Sequence, residues 1–337
     1  MEYNLFLLNN LSPKLYSKLK VIQNSGIRLS MGCRISTPIR VLLSESGIPS
    51  LNIRSKYLAD NFALKLLMIE DHPLSNLLCE LHYNTRSSSA KRQEIKNYHL
   101  LTSFLKLFHE IRQTIKKFTV QLPYPYKYNV VLTGSDINCD FESGIIIRNS
   151  QSSEDKFQEI FRNDLNNDQT HIFYTDGSKK NDGELVGLAI YSPPLNLSLQ
   201  IKIDVLVSIF TAESYAILNA IKIIKENNIA VAMIFTDSLS VLEAISSDSQ
   251  KYQNYIIYEI RKEIWQCNAI IKFVWIPSHL NIKGNENVDK LVKDAIRNGS
   301  FNNILLPYTD LKGKISRLMR ERHFNYIDKI DVDKGVH

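Results

Sequence analysis

The chain has 337 residues and a net charge of +6, with 44% hydrophobic and 23% charged residues. This length suits about two domains, and the balanced composition excludes a peptide hormone, a collagen and a largely disordered protein. The charge is uneven, because residues 1–150 hold 19 Lys and Arg against 11 Asp and Glu, whereas the remainder holds 22 against 24. A basic surplus of this kind suits a polyanionic partner without establishing one.

Residues 1–120 are predicted to be mainly helical, because apolar residues recur there at helical spacing, as in Leu58, Phe62 and Leu66. The polar run Asn84–Arg92 is typical of a connection between helices. Residues 121–168, which include the extended PYPYKY run, are predicted to form a linker.

From His171 onwards, short β-type runs alternate with amphipathic helices in the order βββαβααβα. Three strands with short connections favour an antiparallel meander, and two later strands reached through helices favour parallel pairing. We therefore expect an α/β fold with a mixed five-stranded sheet flanked by helices. Its first strand should lie beside its fourth.

Four acidic residues occupy positions that each have an ordinary structural explanation. Asp176 opens an Asp-Gly turn, Asp237 is placed to cap a helix, and Glu213 and Asp289 fall in the first turns of predicted helices. Parallel first and fourth strands, however, would bring Asp176 and Asp237 to within about 5 Å at one sheet edge. The helix starts can bring the other two acids alongside.

Carboxylates packed together without interleaved Lys or Arg repel one another at neutral pH. Either a cation compensates them or their pKa values rise. Oxygen ligands without a His or Cys cluster favour Mg²⁺ or Mn²⁺ over zinc.

These residues lie in four ordered motifs: YTDGS, TAESYAIL, FTDS and WIPSHLNIKGNENVDKLVKDA. With them the sequence resembles the type 1 ribonuclease H family over residues 171–299. It departs from the family signature at Val288, where alanine is usual.

The resemblance implies hydrolysis of the RNA strand of an RNA:DNA hybrid by a two-metal-ion mechanism that leaves 5′-phosphate ends. The acids that match the family's catalytic metal ligands, for two Mg²⁺ or alternatively Mn²⁺, are Asp176, Glu213, Asp237 and Asp289. His279 matches the mobile-loop histidine that assists catalysis. Candidate contacts to the substrate 2′-hydroxyl are Gly177, Ser178 and Asn285.

Residues 18–74 resemble the segment that follows the polymerase palm in reverse transcriptases of insect-type non-LTR retrotransposons, although no YxDD palm motif occurs in the chain. We expect four regions: a basic helical region (1–120), a linker (121–168), a ribonuclease H domain (169–300) and a basic C-terminal tail (301–337).

The tail is predicted to contain an amphipathic helix with Leu311, Ile315 and Leu318 on its apolar side and basic residues on the other. The basic side can be a solvated surface or can contact phosphates, and the sequence favours the former.

Two rival functions remain. A non-catalytic nucleic-acid-binding remnant of a retrotransposon polyprotein would keep the fold without turnover. A transposase or integrase would lack the His279 loop and the helix context of Asp289.

The chain is also expected to be intracellular, in the nucleus or cytoplasm, and neither secreted nor bound to a membrane. Its four cysteines form no CxxC pair, and no apolar run reaches the ~18 residues needed to span a bilayer. Its first eleven residues do not read as a signal peptide. The oligomeric state is left open.

Overall fold

The computed structural model describes residues 5, 13–85, 99–111, 113–117, 136–179, 185–247 and 254–332. The chain divides into two compact units, one made of residues 1–120 and 311–337 and the other of residues 121–310. Within the described ranges, no helix is long and apolar enough to cross a membrane. The PYPYKY run and most of the expected connection at Asn84–Arg92 lie outside the described residues.

The first unit is helical, as predicted. Phe104 and Leu64 are fully buried where its third and fifth helices pack together, and an ion pair of 2.8 Å joins Arg322 to Asp60. Its helices are α1 (Pro13–Met31), α2 (Ile39–Ser46), α3 (Leu51–Met68), α4 (Pro73–Thr85), α5 (His99–Ile111) and, from residue 311 onwards, the helix that we number α12 (Tyr308–Val332).

The second unit contains one mixed sheet whose strand order is β1-β6-β5-β2-β3-β4-β7. The expected meander is β2–β4, and β2 pairs in parallel with β5, which pairs in parallel with β6. The predicted α/β fold is therefore confirmed. The strands are β1 (Cys139–Asp140), β2 (Thr170–Ser178), β3 (Val186–Ser192), β4 (Leu197–Ile203), β5 (Val231–Thr236), β6 (Ile270–Trp275) and β7 (Ser300–Phe301).

The sheet has seven strands rather than the expected five, because two-residue strands extend it at both edges. β1 pairs with β6, and β7 pairs with β4. Runs of two residues carry no alternation from which a strand can be predicted.

Ordered structure also occupies residues that we expected to form a linker. Besides β1, this segment contains the helices α6 (Glu142–Arg148) and α7 (Ser153–Leu165). Phe157 and Phe161 of α7 are buried, and each of their rings lies 5.1 Å from that of Phe235 in β5. Two aromatic residues four positions apart give a short helix an apolar face that is easily overlooked among polar neighbours.

Helices cover both faces of the sheet. Ile172 and Tyr174 point towards α7 and the last helix of the sheet domain, whereas the alternate residue Phe173 points to the opposite side. The remaining helices of this unit are α8 (Ile209–Glu226), α9 (Leu239–Ser246), α10 (Tyr255–Gln266) and α11 (Lys283–Asn298).

Candidate metal centre

Two neighbouring parallel strands position Asp176 and Asp237. Thr175 of β2 is paired with Thr236 of β5, and the residue after each threonine is an aspartate. The two aspartates therefore lie at the same sheet edge. We expected Asp176 to open a turn, but β2 continues to Ser178. Asp176 is instead paired with Ala189 of β3. The expected adjacency of the two strands is confirmed.

Glu213 reaches the same edge from α8. The helix begins at Ile209 after its N-cap Ser208, so Glu213 lies just beyond the first turn in which we expected it. Gly177 permits this approach, because a Cβ atom at that position would lie 2.7 Å from the backbone nitrogen of Glu213. A side chain there would push the helix away from the strand.

The carboxylates of Asp176, Glu213 and Asp237 each offer an oxygen within 4.8 Å of the others. Burial, together with the negative charge of Asp237, raises the pKa of Asp176 to about 7. Burial also raises the pKa of Glu213 to about 7, and its two acidic neighbours add to the effect. The pKa of Asp237 is raised as well, chiefly by burial.

Polar side chains hold two of these acids in place. Ser238 donates its hydroxyl hydrogen to Glu213, and the Asn285 side-chain amide donates to Asp237. Both hydrogen bonds favour the ionised carboxylate and lower its pKa. The sequence analysis overlooked Ser238 as a functional residue, although it directly follows Asp237 in the FTDS motif.

Asp289 is placed differently from the other three acids. It lies in the second turn of α11, not the first, and its carboxylate accepts a hydrogen bond of 2.5 Å from Lys293. Its negative charge still raises the pKa values of Asp176 and Asp237, so it faces the same site. The expectation that no lysine or arginine is interleaved with the acids is therefore wrong for Lys293, which lies one helical turn after Asp289.

His279 lies in the exposed loop before α11, in the left-handed backbone region with φ of 58°. It lies close enough to lower the pKa of Asp237, which places it beside the cluster. Of the candidate substrate contacts, Gly177 is buried and Ser178 is half-buried at the end of β2. Asn285 is only 5% exposed, and its side-chain oxygen has no hydrogen-bond partner among the described residues.

A second carboxylate network, which the sequence did not suggest, anchors α8. Asp310 accepts hydrogen bonds from the Ser208 backbone (2.9 Å), the Ser208 hydroxyl (2.8 Å) and the Thr211 hydroxyl (3.0 Å). Asn254 donates to the Thr211 hydroxyl over 2.7 Å. The start of the helix that bears Glu213 is thus fixed by a buried acid about 100 residues away in sequence.

The donor set of the cluster suits a hard divalent cation. Its three acids offer only carboxylate oxygens, and the pKa values of Asp176 and Glu213 are raised chiefly by burial and further by the neighbouring negative charges. A divalent ion would replace the missing solvation and return these groups to their ionised forms.

Comparison with known families gives a match within the sheet domain. Residues 168–297 match the model of the RNase H family. The match contains all four acids, His279 and the elements from β2 to α11. The match supports a ribonuclease H domain in this part of the chain, and with it a nuclease that binds nucleic acid.

Proposed function

We propose that residues 169–300 are an endonuclease domain that hydrolyses the RNA strand of RNA:DNA hybrids and leaves 5′-phosphate ends. The observation that carries this proposal is the cluster of Asp176, Glu213 and Asp237, whose carboxylate oxygens lie within 4.8 Å of one another. One of these acids is buried and two are partly buried, and acids so close together are costly unless they hold cations.

Two Mg²⁺ ions, or Mn²⁺ in their place, are the proposed cofactors. The residues that would hold them are the three clustered acids and Asp289. When bound, the ions supply a lowered pKa for the attacking water and stabilisation of the leaving 3′ oxygen. Ser238 and Asn285 keep the acids oriented before any ion arrives.

Other residues of the domain are proposed to handle the substrate and protons. His279 is exposed beside Asp237 and can orient water or assist product release. Gly177, Ser178 and Asn285 are proposed to contact the 2′-hydroxyl, the group that distinguishes RNA from DNA. The unpartnered oxygen of Asn285 supports this role, because it can accept a hydrogen bond from that hydroxyl.

The remainder of the chain is proposed to come from a retrotransposon polyprotein, since residues 18–74 resemble the post-palm segment of its reverse transcriptase. The basic region 1–120 would then add affinity for nucleic acid through phosphate contacts. A reducing compartment, the nucleus or cytoplasm, is supported by the four cysteines, none of which forms a disulfide within the described residues.

The test is cleavage of a labelled RNA:DNA hybrid by the full chain and by Asp237→Asn. We expect Mg²⁺-dependent cleavage to fall at least about 10³-fold in the variant, because a lost ion ligand removes several kcal/mol of transition-state stabilisation. Hybrid binding, measured by fluorescence anisotropy in EDTA, should survive. Asp294→Asn is the matched control, because Asp294 is exposed and lies outside the cluster.

Wild-type cleavage by Asp237→Asn would show that the site is misassigned. A wild-type chain that binds the hybrid but never cuts it would instead favour the non-catalytic remnant. Matched duplex DNA and duplex RNA test specificity, since neither should be cut.

A further inference from the structure

The first unit contains a cavity of about 310 Å³ between α3, α5 and the part of α12 that belongs to this unit. This volume lies at the lower end of the range for small-molecule sites. We call it the cationic cavity. The charged residues that line it are Lys56, Asp60, Lys106, Glu110, Lys314 and Arg322.

These residues leave a positive surplus. Arg322 is paired with Asp60 at 2.8 Å, and Lys106 lies 4.0 Å from Glu110. The two remaining cations, Lys56 and Lys314, have no ion pair or hydrogen bond with any residue in the described part of the chain. Four cations therefore face two carboxylates around one cavity.

The cavity also offers a hydrogen-bond donor without a partner. Ser103 of α5 is 3% exposed, and its hydroxyl oxygen is buried without a hydrogen bond to any described residue. A buried hydroxyl without a hydrogen-bond partner destabilises the folded chain by about 1–3 kcal/mol. We therefore expect a ligand or a water molecule to form a hydrogen bond with it.

Aliphatic side chains form the rest of the lining. Ile111, Leu311 and Ile315 are buried, and Leu107 and Leu318 are partly buried beside them. An apolar surface with cations around it suits a ligand that has a flat apolar body and an anionic head.

We propose that the cationic cavity binds a nucleotide 5′-monophosphate, either free or at the end of a strand. The phosphate lies between Lys56, Lys314 and the Ser103 hydroxyl, and the base covers the aliphatic lining. A phosphate monoester carries about −1.5 to −2 charges at pH 7, which matches the surplus of two cations, whereas a carboxylate would neutralise only one.

The electrostatics of Lys56 agree with this assignment. Its pKa is lowered by partial burial and then by the positive charge of Arg322, while Asp60 counteracts these effects. An anion in the cavity would remove part of that repulsion. The proposal does not depend on the nuclease activity of the other unit, because the residues that carry it all belong to the first unit.

The test is isothermal titration of the full chain in EDTA with AMP, adenosine and inorganic phosphate. We expect one AMP site per chain, no heat from adenosine, and weaker binding of phosphate alone. Lys314→Gln should weaken AMP binding about tenfold or more, because a charge-assisted contact is lost. Lys312→Gln should change it less than about twofold, since Lys312 is exposed on the same helix but does not line the cavity.

A 5′-phosphorylated trinucleotide and its unphosphorylated counterpart distinguish the two sources. Tighter binding of the phosphorylated trinucleotide than of AMP identifies a strand end, and the reverse identifies a free nucleotide. Equal losses in Lys314→Gln and Lys312→Gln, or equal binding of adenosine and AMP, would overturn the proposal. Lys56→Gln provides a second variant. Because Lys56 is exposed, we expect this variant to fold, so a loss of AMP binding would not be due to misfolding.

Discussion

The acid cluster of the second unit and the cationic cavity of the first unit present opposite electrostatic problems. In the cluster, three carboxylates share one small space and are largely buried. In the cavity, three lysines are exposed around an aliphatic lining and the one guanidinium already has an acidic partner. The cluster therefore carries a large desolvation cost without ions, whereas the cavity remains hydrated and carries little.

This difference determines how strongly each site depends on its ligand. Removing water from a carboxylate raises its pKa, and only a proton or a cation relieves the cost. Exposed lysines interact through a high dielectric and are screened by salt. We expect the stability of the second unit to change sharply with pH and divalent ions. The stability of the first unit should depend mainly on the ion pair between Arg322 and Asp60 and on phosphate ligands.

Among single substitutions, the largest effect on stability should come from breaking that ion pair. Arg322→Ala leaves the carboxylate of Asp60, a residue only 7% exposed, without its partner. We expect the free energy of unfolding of the first unit to fall by about 2–3 kcal/mol. Urea denaturation followed by far-UV circular dichroism measures this change. Tryptophan fluorescence reports the unfolding of the second unit separately, because both tryptophans lie in that unit.

Arg320→Ala is the matched control for this variant. Arg320 is exposed and does not line the cavity, so its loss should change stability by less than about 0.5 kcal/mol. Similar losses of stability in the two variants would mean that the ion pair between Arg322 and Asp60 stabilises the unit no more than an unpaired positive charge on the same helix does.

The two sites also differ in how far the sequence predicts them. The acid cluster could be predicted because Asp176 and Asp237 each follow an apolar strand, and parallel pairing brings such positions together. The sheet pattern was predictable for the same reason, since strand alternation and helical periodicity are local. The cationic cavity joins Lys56 to Arg322, and no local pattern relates residues so distant in sequence.

Within the cluster, the contacts of individual side chains were the part that could not be predicted. The sequence does not say whether Lys293 turns towards Asp289 or into solvent, because both are allowed for a lysine one helical turn away. The hydrogen bond from Ser238 to Glu213 depends on the packing of α8 against β5. The role of α7 was hidden because its apolar face is only two phenylalanines wide.

The next prediction sharpens the comparison through pH. In EDTA, Asp176 and Glu213 have pKa values of about 7 in the folded chain, above the ~4 of unfolded carboxyls. The folded state then binds more protons than the unfolded state, so stability is greatest below about pH 4 to 5 for these groups and falls as the pH rises towards 8. We expect the free energy of unfolding to fall by a few kcal/mol between pH 5 and pH 8, since each unit of pKa shift corresponds to about 1.4 kcal/mol.

Tryptophan fluorescence during urea unfolding measures this loss, since Trp275 donates a hydrogen bond to the backbone of Asp237. Millimolar Mg²⁺ should reverse the loss at pH 8, and Glu213→Gln should reduce the pH slope. Glu226→Gln, at the exposed end of the same helix, should leave the slope unchanged. A slope of opposite sign in wild type would disprove the desolvation of the cluster.

The smallest effect should come from Lys293, whose ammonium group lies beside the cluster. Lys293→Met removes the partner of Asp289, and because Lys293 is exposed we expect a stability change below about 0.5 kcal/mol. The apparent affinity for Mg²⁺ should nevertheless rise about two- to threefold, since a positive charge next to the site is lost. Lys290→Met, exposed on the same helix, is the control. High salt should abolish the difference between these variants, and a gain that persists there would assign it to geometry rather than charge.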